Sequence, residues 1–211
     1  MKVILVNGSP RDKGCTHEAL YEIQRTLAVC GIDAEEFWID LEPIYGCVNC
    51  TFCQQAGFCY VDDVVNKFTK MAKTADGFIF GSPVHFAAAS GGLTSFMDRA
   101  FRSRGHVFAG KPAAAIVSCR RGGATAALDQ LNKYFAIQGM PIVPSQYWNM
   151  VHGNTPAEVR EDKEGMQTMR TLGRNMAWLL KCIELGKENG VPYPELEPPV
   201  KTNFIREQIQ P

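Results

Sequence analysis

The chain has 211 residues, 45% of them apolar, and its 22 Lys and Arg residues balance 22 Asp and Glu. That is enough for one well-buried core, and the charge balance excludes a global field that would draw the protein to nucleic acid or anionic lipid. No apolar run approaches the about eighteen residues of a membrane span, and the apolar run at Met1–Gly8 is too short for a secretory signal, so the expectation is a cytoplasmic protein with neither nucleic-acid nor membrane partners.

Lys2–Asn7 is a β-branched-rich run ending in Gly8-Ser9-Pro10, which predicts a buried strand entering a turn. Thr16–Cys30 places Ala19, Leu20, Ile23 and Leu27 at helical spacing and stops at Gly31, a helix with glycine just past its end. Asp33–Ile39 reads as a second strand, and a cysteine-rich loop follows at residues 46–60. Asp62–Lys73 predicts a helix with Asp62 and Asp63 at its positive end. Gly77–Gly81 is a third strand and Ser90–Arg102 a helix; Ala113–Cys119 is a fourth strand, and Ala124–Gln138 a helix ended by Gly139. Ile142–Val151 holds a fifth, irregular strand. Pro156–Asn189 is a long polar helical segment with a break expected near Gly165 or Gly173, and the proline-rich Pro192–Val200 runs extended.

Strand and helix alternate five times. That pattern implies a three-layer α/β fold, a doubly wound five-stranded parallel sheet of order 2-1-3-4-5 covered on both faces. Residues 1–190 form one domain in this reading, and residues 191–211 an extended tail. The loops after strands one, two and three all leave the carboxyl edge, where ligands of such sheets sit, and are expected to converge on one site.

Two of those loops carry chemistry in their residue types. Cys47-x2-Cys50-x2-Cys53-x5-Cys59 gathers four thiols in thirteen residues. In a reducing compartment clustered cysteines point to metal or redox chemistry rather than disulfides. All-sulfur sites suit an iron–sulfur cluster or zinc, and the consecutive two-residue spacings look more like the ferredoxin-type run; thiols holding no metal are the remaining reading. Cys30 and Cys182 fall in helical patterns and are expected to be buried small hydrophobes. The loop Gly8–Thr16 joins the first strand to the first helix, so its backbone amides and the helix N-terminus form an anion site, with Ser9, Arg11 and Thr16 as added donors. It is neither G-x-G-x-x-G nor a Walker loop.

N-G-S-P-R-x-x-G-x-T at the start, G-C-x-x-C-x-x-C-x5-C-x3-D-D in the middle and G-S-P-V-x-F-x3-S-G-x-L-x-x-F-x-D-R after the third strand occur in that order. Together they resemble the flavodoxin-like NAD(P)H-dependent FMN reductases and, with the cysteine run, the iron–sulfur flavoprotein branch. The resemblance covers about residues 1–150 and implies a flavodoxin-like FMN-binding domain. It places the FMN phosphate on Ser9, Arg11, Gly14, Cys15 and Thr16, and the isoalloxazine ring along Ser82, Pro83, Val84, His85 and Phe86. Ser118, Cys119, Arg120, Gly122 and Gly123 would border the ring from strand four, and Cys47, Cys50, Cys53 and Cys59 would hold a 4Fe–4S cluster, which ordinary purification can lose. The implied partners are NAD(P)H or a ferredoxin-like electron carrier and a small electron acceptor, in a homodimer or homotetramer. The chain departs from the family pattern at Cys15, where Asn is common, at His85, often Tyr, and at Cys119-Arg120-Arg121, a stretch usually richer in glycine.

His85 is the one candidate proton donor, since its ordinary pKa lies near neutrality, although a place in the flavin wall explains it as well. Asp62 and Asp63 read as helix caps. Arg99, Arg102, Arg104, Lys111, Arg120 and Arg121 are expected along the carboxyl-edge helix and loops, on a solvated face, lining a subunit contact or meeting a nucleotide 2′-phosphate. The rival readings are a cluster-free NAD(P)H-dependent FMN or quinone reductase, and a zinc-stapled binding module.

Overall fold

Val3, Ile4, Leu5 and Val6 are all fully buried, so the first strand must be covered on both faces. A computed structural model describes residues 1–195 together with 197, 198, 200 and 202. The expected proline-rich tail falls partly outside those described residues; Val191–Glu195 has no regular secondary structure.

The elements are β1 (Lys2–Asn7), α1 (Cys15–Val29), β2 (Asp33–Trp38), α2 (Phe52–Ala56), α3 (Val64–Met71), β3 (Gly77–His85), β4 (Ala88–Ala89), α4 (Gly91–Arg104), β5 (Ala113–Cys119), α5 (Ala124–Ile137), β6 (Met150–His152), α6 (Pro156–Glu161) and α7 (Lys163–Glu188). The parallel strands run β2-β1-β3-β5-β6, which is the expected order, and β4 pairs antiparallel with the end of β3. Alternate residues of β1 feed two cores. Ile4 and Val6 join Phe68, Phe78, Phe80, Phe96 and Phe135 under α3, α4 and α5, while Val3 and Leu5 join Ile23, Leu27, Met169 and Leu172 under α1 and α7. Each buried phenylalanine contributes about 1.5–3 kcal/mol, so the sheet and its flanking helices form a rigid base for the loops at the carboxyl edge.

Three elements differ from the sequence expectation for local reasons. The fifth strand shrinks to Met150–His152, with one isolated bridge from Ile142 to Ala113, because Pro141 and Pro144 cannot donate to a ladder. The long C-terminal helix breaks at Asp162, whose carboxylate accepts from Gly165 N and caps α7; Gly165 and Gly173 lie inside that helix. A Cβ on Gly173 would stand 3.0 Å from Thr26 Cβ, so this glycine serves close packing of α7 on α1 and breaks nothing. The third strand extends four residues further than expected and turns through Phe86 and Ala87, at φ 51° and 59°, into β4. Two successive positive φ values suit the tight turn of a hairpin, but neither residue is the usual glycine or asparagine. Cys182 is exposed on α7, outside the stripe through Met169, Leu172, Met176 and Leu180 that faces the core, and Cys30 is only half-buried because it caps the end of α1.

Candidate functional site

The β1–α1 loop is held open by its own neighbours. Asn7, fully buried at the end of β1, accepts from Ser9 N at 3.1 Å and donates to Asp12 O at 2.9 Å. Its amide also donates to Glu36 Oε1 at 2.8 Å, and the other Glu36 oxygen meets His17 Nδ1 at 2.6 Å. Trp38 Nε1 donates to Ser9 O at 2.8 Å. The loop backbone is therefore gripped from β2 and α1, and Gly14, the N-cap of α1, supplies no side-chain cap. The first amides of that helix have no intrahelical acceptor and point out at its positive end. Arg11 is exposed beside them and enters no ion pair among the described residues.

A pocket of about 270 Å³ opens at this point, lined by Ser9, Arg11, Cys15, Thr16, Pro83, Val84, His85, Ser118, Cys119 and Arg120, with Pro10, Gly153 and Asn154 added from outside the expected set. Thr16 and Ser118 meet across it through a 2.9 Å hydroxyl contact. Cys15 and Cys119 both have thiol pKa values raised, mainly by burial, so neither is a ready nucleophile at neutral pH. Cys119 Sγ lies 3.4 Å from His152 Nδ1.

Five of the expected residues stand elsewhere. Ser82 is fully buried and bonds only backbone: it accepts from Ser90 N and donates to Pro83 O. Ser90 in turn donates to Gly8 O, so these two serines lash the hairpin to the β1–α1 loop. Gly123, at φ 89°, admits the hairpin, for a Cβ there would lie 2.6 Å from Ala87 Cα. Gly14 packs on Arg11 behind the pocket, Gly122 has open space beside it, and Phe86 projects fully into solvent at the hairpin tip. The supports Asn7, His17, Glu36 and Trp38 were not among the expected residues. Asn7 opens the N-G-S-P-R motif, and the adjacent carboxylates Glu35-Glu36 within a strand were the signal for the rest.

The cysteine loop leaves the same carboxyl edge but turns back along α4. Ile39 lies beside Gly92 and Gly46 beside Ser95; Cys53 Sγ reaches Arg102 O at 3.9 Å and Cys59 Sγ reaches Arg99 Nε at 3.3 Å. All four cysteines of the run line one pocket of about 70 Å³ with Arg99 and Arg102. It lies about 14–18 Å down α4 from Ser90, at 1.5 Å per residue, and shares no lining residue with the first pocket. The expectation that these loops converge on one site is thereby corrected: they line two separate pockets, the second against the far half of α4. Among the described residues no three metal-binding side chains gather as a single ion requires. The all-sulfur donor set fits iron–sulfur chemistry.

The expected cationic face divides. Arg99 is buried on Asp63 at 2.5 Å, Arg102 donates to Asn49 Oδ1, and Arg104 is half-buried. Lys111 sits at the opposite sheet edge, donating to Ala72 O. Only Arg120 and Arg121 are exposed near the first pocket. Asp63 caps α3 through Val65 N, as expected, whereas Asp62 does not cap; its carboxylate accepts from Asn66 Nδ2.

A three-layer α/β fold with an anion-ready loop at the sheet's switch point and a four-thiol pocket on a flanking helix defines the class. A family model described as NADPH-dependent FMN reductase matches residues 1–155. An iron–sulfur flavoprotein of Methanocaldococcus jannaschii is 32% identical over 195 residues, spanning 87% of this chain and 100% of its own. One from Archaeoglobus fulgidus is 26% identical, spanning 86% and 98%. An archaeal flavodoxin structure aligns with TM-score 0.58 at 17% identity, over 86% of this chain and 99% of its own, so the fold is flavodoxin-like. The chain belongs to the NADPH-dependent FMN reductase family, within its iron–sulfur flavoprotein branch. It is an FMN-dependent oxidoreductase.

Proposed function

We propose that the protein couples two-electron flavin chemistry to a 4Fe–4S cluster, with the flavin at the head of α4 and the cluster in the cysteine pocket along the same helix. The observation that carries the cluster half is that Cys47, Cys50, Cys53 and Cys59 all face one pocket. In this reading Arg11, Ser9, Thr16 and the first amides of α1 hold the FMN phosphate. Pro83, Val84 and His85 wall one side of the isoalloxazine ring, and Ser118, Cys119 and Arg120 border it from β5. FMN when bound exchanges a hydride or single electrons, and the cluster exchanges electrons singly. Cys47 and Cys50 are exposed, which lets a ferredoxin-like carrier or a small acceptor exchange electrons there without crossing the core, while NAD(P)H reaches the open flavin pocket. The reduced thiols this needs suit the cytoplasm, and no helix among the described residues is long and apolar enough to cross a membrane.

Protein purified without oxygen tests the reading. Iron and labile sulfide in equal amounts, beside flavin absorption, are expected, and a Cys47→Ser/Cys50→Ser double variant loses the iron yet binds FMN within about twofold of wild type, since sites with no shared residue act independently. Flavin bands without iron in wild-type protein leave a cluster-free NAD(P)H-dependent FMN or quinone reductase. Colourless protein carrying zinc overturns both.

A further inference from the structure

The four cysteines are held very unequally. Cys47 and Cys50 are exposed, and Cys53 makes one long contact to a backbone carbonyl. Cys59 is fixed from three directions. Asn66, 3% exposed, accepts from Cys59 N at 3.1 Å and donates to Cys59 O at 2.8 Å, so its carboxamide locks the backbone. Arg99, 2% exposed, donates from Nε to Cys59 Sγ at 3.3 Å. The other edge of that guanidinium is committed: Nη1 and Nη2 form a fork on Asp63 at 2.5 and 3.0 Å, and Nη2 also donates to Val61 O at 2.9 Å. A planar fork fixed on one edge presents its Nε–H in one direction only, and here that direction is the sulfur.

We propose that Arg99 is a positioning residue that acts through Cys59 to raise the reduction potential of the cluster, with Asp63 setting how much of the arginine's charge the sulfur feels. This rests on the cluster reading above. Reduction adds one negative charge to the cluster and its thiolates. An N–H donor on a ligating sulfur, and a cation buried with it, favour that more negative state, and in a poorly solvated site the effect is weakly screened. Asp63 carries the opposite charge and partly cancels it.

The two residues make opposite predictions, which damage to the fold would not. After anaerobic reconstitution with ferrous iron and sulfide, midpoints are measured by mediated titration followed by electron paramagnetic resonance. Arg99→Gln is expected to lower the reduced-to-oxidised ratio at fixed applied potential about tenfold, equivalent to about 59 mV for a one-electron couple. Asp63→Asn, which leaves the arginine uncompensated, is expected to raise the ratio by a smaller factor. Loaded variants with the wild-type midpoint, or both shifted in one direction, overturn the inference. If Arg99→Gln does not fold, as its flavin binding and circular dichroism will show, the Asp63→Asn midpoint decides alone: a higher value supports the inference and an unchanged or lower one overturns it. Wild-type protein that takes up no iron and sulfide overturns the cluster reading and the inference together, a result distinct from unshifted midpoints in loaded protein.

Discussion

Arg11 is the residue whose side chain has the most to gain from a ligand. It is exposed at the edge of the first pocket, next to helix amides that lack acceptors. A guanidinium there is worth a charge-assisted hydrogen bond to phosphate and nothing to a ligand that lacks one. Arg11→Gln is therefore expected to weaken FMN binding about tenfold, about 1.4 kcal/mol, and to leave riboflavin binding unchanged. Fluorescence-quenching titrations of the apoprotein with both ligands check this; equal loss for both would show that the arginine shapes the loop instead. The gathering of Ser9, Arg11 and Thr16 at one pocket was legible in the sequence, because they sit at a strand-to-helix junction whose geometry is local. Ser82 was not. Its motif position suggests a ligand, but its hydroxyl is used between Ser90 N and Pro83 O. The supports Glu36 and His17 were hidden for the complementary reason: they meet Asn7 and each other only after β2 pairs with β1.

The hairpin β3–β4 shows what a single backbone position does for a whole element. Its tip places Ala87 against Gly123, the N-cap of α5, which adopts φ 89°. Gly123→Ala adds a Cβ at 2.6 Å from Ala87 Cα in a conformation that side chains resist. The expected cost is about 1–3 kcal/mol, read as a fall in melting temperature of about 2–4 °C for each kcal/mol. Gly122→Ala, with open space around the position, is the control and should melt within about a degree of wild type. An unchanged melting point for Gly123→Ala would mean that the hairpin yields freely. Elements with strong periodicity, such as β1, α1 and α5, were readable from the chain within a residue or two. The hairpin and the short α2 were not, and the break at Asp162 only as one near Gly165, since each depends on a cap or a strained turn whose residues carry no period. The fifth strand was readable in place but not in length, because Pro141 and Pro144 remove donors that only the neighbouring β5 reveals.

At the scale of the molecule, the sheet order and the covered faces followed from the alternation of elements, whereas the distance between the two pockets did not, because nothing local to the cysteine run tells it to fold back along α4. The same packing makes the molecule's stability depend on pH in the alkaline range. Cys15 and Cys119 lie in the wall of the first pocket with pKa values raised by burial above an ordinary 9.0. Tyr134 is held above its ordinary 10.0 by burial and by its 2.6 Å bond to Asp98. For each, the folded state prefers the protonated form more than the unfolded chain does. The stability this gives is complete below the unfolded pKa and is lost as pH rises through the folded one. Lys111 runs the other way: burial lowers its pKa below 10.5, so it adds stability as pH rises toward that value. The cofactor-free protein should therefore hold a level melting temperature from neutral pH to about pH 8, where unfolded thiols begin to ionise, and then fall steadily toward pH 10.5 and beyond. A Cys15→Ala/Cys119→Ala variant, whatever its starting stability, should show a shallower decline across the first part of that range, with the tyrosine's share remaining above pH 10. A wild-type profile that stays level, or a variant whose slope matches it, would show that these thiols ionise as easily in the folded wall as in the open chain.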